Sequence, residues 1–302
     1  MPRAAEILRE NPALHEVLPL CERAAANSVS EASLGLLRAR NFDVALCTDN
    51  VRHHEALQIA LALGIPNRIA FVRKGLSGLA TFGVRVARDS WPAHIRAMVN
   101  AVAGTRDESP LRPRIYLDTD DSESADAAWG ALPFPDAPLT IATAITTRQP
   151  IGLFPLPLFA AVLRCVLQIE PGTRFLLAGS RDDSATLDAL ADDLGPRATV
   201  HAGTLSLRTF TGVVSRCDAF FGSDSGPRHI ANAAGIPVLF VRNMSVPEIE
   251  AGRYCDTETD VTPPGQYLSS DATAHALSRI DVEAVAGAVV AAARRTASTR
   301  RT

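Results

Sequence analysis

The sequence predicts an α/β protein built from two doubly wound domains, each with a parallel sheet covered by helices on both faces. Two observations carry this. Short apolar strands bounded by glycine alternate with single helix-length segments through most of the 302 residues. A shift to acidic and then proline-rich composition near residues 118–138 divides the chain in two, at a length that suits two domains of ordinary size.

In the second half, L-T-I-A-T-A-I (139–145) reads as a strand, and 156–169 as a helix with Pro157 tolerated in its first turn. R-F-L-L-A-G (174–179) is a strand, 183–194 a helix ended by Gly195, A-T-V-H-A-G (198–203) a strand and 206–216 a helix. The strand 217–223 then leads through Asp224, Ser225 and Gly226 into the helix 227–234, stopped by Gly235, and 281–295 closes the domain as a helix. The first half is less regular, with helices over 30–40, 52–63 and 93–102 and strands over 43–48 and 68–72. Between the halves, D-T-D-D-S-E-S-A-D (118–126) and A-L-P-F-P-D-A-P (131–138) read as an acidic and proline-rich linker. Domains of 1–135 and 136–302 are therefore expected.

Composition narrows the function. The chain is 47% hydrophobic and 21% charged, with a net charge of -3, which does not suit a nucleic-acid binder. Five scattered cysteines without metal-type spacing read as reduced thiols in a cytoplasmic protein, and no apolar run reaches the ~18 residues a membrane span needs. Asp118 and Asp120 imitate a metal-binding carboxylate pair, but their acidic surroundings favour a solvated charge run; no metal site and no cofactor are expected. Arg68, Arg73, Lys74, Arg85, Arg88 and Arg96 against Asp89 alone form a basic stretch. It suits either ordinary solvated surface or contact with a phosphorylated glycolipid or an anionic membrane.

The most informative segment is D-S-G-P-R-H-I-A-N-A-A-G-I-P (224–237). Pro227 fits the first helical turn, where its missing N–H costs nothing. The remaining N–H groups at that helix start carry partial positive charge, and Gly226 lets a phosphate approach without meeting a Cβ. Ser225 and His229 add donors, and in a doubly wound sheet this turn lies at the carboxyl edge, where ligands bind. Helix capping alone accounts for Asp224 or Ser225 but not for the Gly-Pro-x-His that follows.

This segment resembles the nucleotide-binding motif of glycosyltransferase family 9, the lipopolysaccharide heptosyltransferases. The resemblance extends to L-L-A-G-S-R-D-D and G-T-L-S-L-R-T-F upstream, and to N-P-A-L-H-E-V-L-P-L (11–20) and R-N-F-D-V-A-L (40–46). It implies a GT-B fold, two Rossmann-like domains facing a cleft. It also implies an ADP-heptose donor held by the second domain and metal-independent, inverting transfer to a lipopolysaccharide-core or related glycan acceptor at the inner face of the bacterial inner membrane. On that basis Asp224, Ser225, Gly226, Pro227 and His229 belong to the donor site, and Asp182 or Asp183 holds the ribose or a sugar hydroxyl.

Two departures from the family pattern modify the expectation. The family begins with a strand and a glycine-aspartate loop whose aspartate resembles a catalytic base; here residues 1–20 already match the segment beyond it, so the first domain is expected to be incomplete. Asp49, His53 and His54, in the turn after the strand 43–48, are the alternative bases, against their plain reading as helix-start residues. In T-T-R-Q-P-I-G-L-F-P, Phe154-Pro155 stands for a Trp-Pro pair and Gly152 for a lysine, which leaves Arg148 to supply charge to the donor phosphates or to face solvent. The rival reading is a non-catalytic relative that binds a nucleotide or glycan as a binding or assembly module.

Overall fold

In the computed structural model, residues 2–18, 29–48, 53–72, 76–86, 89–133, 137–145, 154–265 and 269–301 are described. The chain divides into two compact units, residues 1–5 with 16–111, and residues 6–15 with 112–302. The opening helix α1 (Pro2–Leu8) runs from one into the other.

The first unit contains α2 (Glu31–Arg38), β1 (Val44–Cys47), α3 (His53–Ala62), β2 (Asn67–Phe71), β3 (Phe82–Val84) and α4 (Trp91–Ala103). Its three strands form a parallel sheet in the order β1-β2-β3. Local chemistry sets the helix ends. Ser30 accepts the Ser33 N–H at the start of α2, and Gly104, at φ 67°, closes α4 in the left-handed region that a Cβ disfavours. One core joins Cys47, Leu57, Ala60 and Ala70, and a second joins Ile69, Phe71, Val84 and Met98. Val44 and Leu46 of β1, the outer strand among the described residues, each remain 46% exposed, so this sheet is less deeply covered than its counterpart.

The second unit contains α5 (Thr119–Gly130), β4 (Thr140–Ala144), α6 (Leu156–Ile169), β5 (Arg174–Gly179), α7 (Ser184–Leu194), β6 (Ala198–Ala202), α8 (Leu207–Val214), β7 (Ala219–Ser223), α9 (Gly226–Ala234), β8 (Val238–Val241), α10 (Glu248–Ala251), β9 (Glu258–Asp260), α11 (Ser270–Leu277) and α12 (Val282–Arg301). Its six strands are all parallel, in the order β6-β5-β4-β7-β8-β9. Every residue of β4, β7 and β8 is buried, as strands covered on both faces require. One face packs Ile141, Phe175, Leu177, Phe221 and Leu239 against α6, α7 and α12. The other packs Ala142, Leu176, Phe220 and Phe240 against α5, α8 and α9. Phe154 and Phe159 meet Phe221 with ring centroids 6.3 and 5.1 Å away. Burying each such ring contributes about 1.5–3 kcal/mol.

Residues 118–126 are not a linker. Asp118 accepts the Asp121 N–H at 2.7 Å and Asp121 accepts the Asp118 N–H at 3.1 Å, a reciprocal cap that starts α5. Burial of Asp121 is compensated by Arg208, itself 1% exposed, whose Nε donates to it at 2.6 Å. Arg208 also donates to the Arg9 carbonyl at 2.8 Å, which ties residues 6–15 to this unit. A Cβ on Gly212 of α8 would come within 2.5 Å of the Ala125 Cβ, so the two helices touch through their smallest residues. Asp118 is thus a helix cap also paired with Arg9, and the division between units falls ahead of residue 119 because α5 packs on α8.

Candidate functional site

Strands β4, β5 and β6 step outward on one side of the second sheet and β7, β8 and β9 on the other, so the winding reverses between β4 and β7. At such a reversal the loops leaving the carboxyl ends diverge and open a crevice. Two features hold the strands together there. A Cβ on Gly222 would lie 2.3 Å from the Ala144 carbonyl oxygen, so only glycine permits this approach, and Ser223 Oγ donates to the Ile145 carbonyl at 2.7 Å.

From β7 the chain turns directly into α9, with Ser225 as its N-cap residue and Pro227 in the first turn. The Asp224 N–H is committed to the Val241 carbonyl at 2.9 Å, the Arg228 N–H to the Ser225 carbonyl at 3.0 Å, and Pro227 has none. Ser225 and Gly226 N–H donate to no protein atom among the described residues. Gly226 is exposed, and a Cβ there would meet nothing within 4 Å among the described residues. Two open amides at a helix N-terminus, with clear space above them, make an anion-binding geometry.

The expected donor-site residues take different positions around these amides. Ser225 Oγ makes only a long 3.4 Å contact with the Ser223 carbonyl, so the hydroxyl does not cap the helix. The Asp224 carboxylate turns inward and accepts from Arg228 at 2.8 Å. His229 sits at the surface with Nδ1 2.7 Å from the Tyr254 hydroxyl. Asp183 closes a capping box, accepting from the Ser180 N–H at 2.7 Å and Ser180 Oγ at 2.6 Å, whereas Asp182 is exposed at the carboxyl end of the neighbouring β5. Arg148 and Asp49 lie outside the described residues, and His53 and His54 are the first residues of α3.

Beneath the turn lies a buried polar network that sequence reading missed. Arg228 and Glu258 are 1% and 2% exposed. The Arg228 guanidinium donates to Glu258 at 2.6 Å and to the carbonyls of Ala251 and Gly252 at 3.0 and 2.8 Å, and lies 3.4 Å above the Phe240 ring centre. Glu258 also accepts from Asn232 Nδ2 at 2.7 Å and from the Tyr254 N–H at 2.9 Å. Burial opposes its ionisation, but Arg228 and the other donors outweigh that and hold the carboxyl below its usual range. A signal was present: Asp224, Arg228 and Asn232 recur every fourth residue, a polar stripe that leads from the turn into a short helix whose other buried positions are Ile230 and Ala231.

The basic stretch of the first unit is partly internal. Arg68 donates to the carbonyls of Leu79 at 2.8 Å and Ile65 at 2.6 Å, and Arg96 to that of Ser109 at 2.8 Å. Arg85 is exposed, and Arg73, Lys74 and Arg88 fall outside the described residues. Among the described residues, no helix is long and apolar enough to cross a membrane.

The family described as glycosyltransferase family 9 (heptosyltransferase) matches residues 35–246. A family 9 glycosyl transferase from Veillonella parvula superposes with a TM-score of 0.76 at 17% identity, covering 99% of this chain and 87% of that one. E. coli ADP-heptose LPS heptosyltransferase II gives 0.67 at 16% identity over 90% and 81% of the two chains. An E. coli heptosyltransferase with ADP gives 0.64 at 15% over 86% and 76%. A search of curated proteins gave no match. These structural likenesses identify the fold as α/β of the GT-B type, and the match over residues 35–246 takes in β4 to β8 and the whole 224–237 segment. The chain belongs to glycosyltransferase family 9.

Proposed function

We propose that this chain transfers a sugar, heptose from ADP-heptose in the first instance, onto a lipopolysaccharide-core or related glycan acceptor, with inversion and without a metal. One observation carries the reading: the paired open amides of Ser225 and Gly226 at the start of α9, at the strand reversal of a family 9 fold. The E. coli heptosyltransferase matched above holds ADP, which supports a nucleoside-diphosphate donor.

In inverting transfer the acceptor hydroxyl attacks the anomeric carbon as the diphosphate leaves, and negative charge grows on the leaving oxygens. Amides fixed in advance at a helix N-terminus stabilise that charge without reorganising. In this reading His229 adds a side-chain donor, and Asp182, which is exposed, holds a ribose or sugar hydroxyl. Arg148 follows β4 in the sequence, and in this reading it neutralises the diphosphate. Asp49 or His53 takes the acceptor proton. The setting is the cytoplasmic side of the inner membrane, with exposed Arg85 among the groups facing anionic lipid.

Titration calorimetry with ADP, UDP and GDP tests the donor site, and mass spectrometry of a heptose-deficient core acceptor incubated with ADP-heptose tests transfer. The expected results are preferential ADP binding and a product heavier by one heptose. Binding without transfer would favour the binding-module reading. No binding of any of the three would overturn the donor-site reading.

A further inference from the structure

We propose that Tyr254 and Asn232 are positioning residues that lock His229 in the tautomer with its proton on Nε2. The motif histidine then meets the donor's diphosphate as an uncharged hydrogen-bond donor. The second half of this statement rests on the donor-site reading above.

The hydrogen-bond constraints propagate outward from the buried ion pair, one proton at a time. Glu258 is ionised beside Arg228, and a carboxylate only accepts, so every group facing it must donate. That fixes the Asn232 side chain with its nitrogen toward Glu258, 2.7 Å away; the opposite end of the amide accepts from the Thr257 hydroxyl at 3.4 Å. The same nitrogen lies 3.1 Å from the Tyr254 hydroxyl oxygen. An amide nitrogen has no lone pair to offer, so the phenol oxygen accepts from it.

Tyr254 has one proton to give, and His229 Nδ1 stands 2.7 Å away. That separation sits at the centre of the O–H donor range and at the short end of the N–H···O range, and the phenol oxygen already accepts from Asn232. Nδ1 therefore accepts, and the neutral ring carries its single proton on Nε2.

The surrounding charges agree. His229 faces Arg228, Asp224, Glu258 and Tyr254. Burial of its inner edge and the Arg228 charge disfavour the imidazolium, against the weaker pull of the two carboxylates, although the residue as a whole remains exposed. Burial pushes the Tyr254 hydroxyl up to about 12, so it keeps its proton at neutral pH.

The lock has a role that capping lacks. Without it, a neutral imidazole populates both tautomers, and the one protonated on Nδ1 turns a lone pair toward any anion at Nε2. Tyr254 removes that option while leaving the helix start uncharged by the ring.

The test uses the full chain labelled with 15N-histidine. His229 is assigned among the seven histidines by the resonance lost in His229→Gln. Long-range 1H–15N spectra at pH 7.5 are expected to show a protonated Nε2 and an unprotonated Nδ1. Tyr254→Phe, which keeps the ring and its packing, is expected to give a mixture of tautomers and to weaken ADP, measured by calorimetry, roughly tenfold. A thermal scan confirms that the variant is folded, and Asn232→Asp provides a second perturbation of the same chain. A wild-type ring protonated on Nδ1, or a spectrum unchanged in Tyr254→Phe, overturns the lock. A changed tautomer with unchanged ADP affinity overturns the positioning role. If the wild type binds no nucleotide, the donor-site reading fails, and the spectra alone decide the tautomer.

Discussion

Replacing Arg228 by methionine removes a guanidinium whose partner, Glu258, is just as deeply buried. The methionine stem still covers Phe240, so most of the loss is electrostatic: Glu258 keeps its charge with no cation beside it, and the Ala251 and Gly252 carbonyls lose their donors. Breaking a buried pair from one side costs about 3–5 kcal/mol. For a unit the size of residues 112–302, each kcal/mol lowers the melting temperature by about 2–4 °C, so a fall of roughly 6–20 °C is expected. Glu258→Gln in the same background removes the orphaned charge, and the double variant should recover about 1–3 kcal/mol relative to the sum of the two single changes. Urea unfolding followed by far-ultraviolet circular dichroism measures all four corners of the cycle. A loss below about 1 kcal/mol for Arg228→Met, or additivity within about 0.5 kcal/mol, would refute the account of the network.

Gly222→Ala places a Cβ 2.3 Å from the Ala144 carbonyl oxygen, so it should destabilise by about 1–3 kcal/mol or more in the same urea assay, whereas Gly35→Ala, with open space around it, should not. Arg208→Met strands buried Asp121 and frees the Arg9 carbonyl; a loss of about 3–5 kcal/mol and faster proteolysis around residues 6–15 are expected by denaturation and mass mapping. Because the Glu258 carboxyl titrates lower folded than unfolded, the unfolded chain binds its proton first as pH falls. Stability should therefore decline from about pH 5 downward, through the unfolded value near 4.3 and on to the folded one, and this decline should be shallower in Glu258→Gln, read from melting temperatures across that window.

The parts of the fold legible in the sequence are those in which burial dictates composition. Strands such as A-F-F-G-S and F-L-L-A, covered on both faces, admit almost nothing polar, and the helices beside them announce their ends through Gly195 and Gly235. Helix α5 escaped because its acidic residues look solvated until Arg208 is brought beneath Asp121 from 87 residues away. Strand β9 escaped too: it is three residues long and polar, yet Glu258 is buried in the network under α9. At the site, the glycine and proline of the motif were legible because their backbone chemistry is local. Arg228 passed as a variable position, since its partners come from Ala251, Gly252 and Glu258, which no local pattern connects to it.

If the Ser225 and Gly226 amides hold the donor's diphosphate, Gly226→Val should weaken nucleotide binding while leaving the fold intact. Among the described residues, a Cβ at this position meets nothing within 4 Å. The stability of the variant should stay within about 1 kcal/mol of the parent. A bound phosphate would collide with that side chain, so calorimetry should show ADP affinity reduced at least tenfold. A variant that remains folded and binds ADP as tightly as the parent would contradict the account.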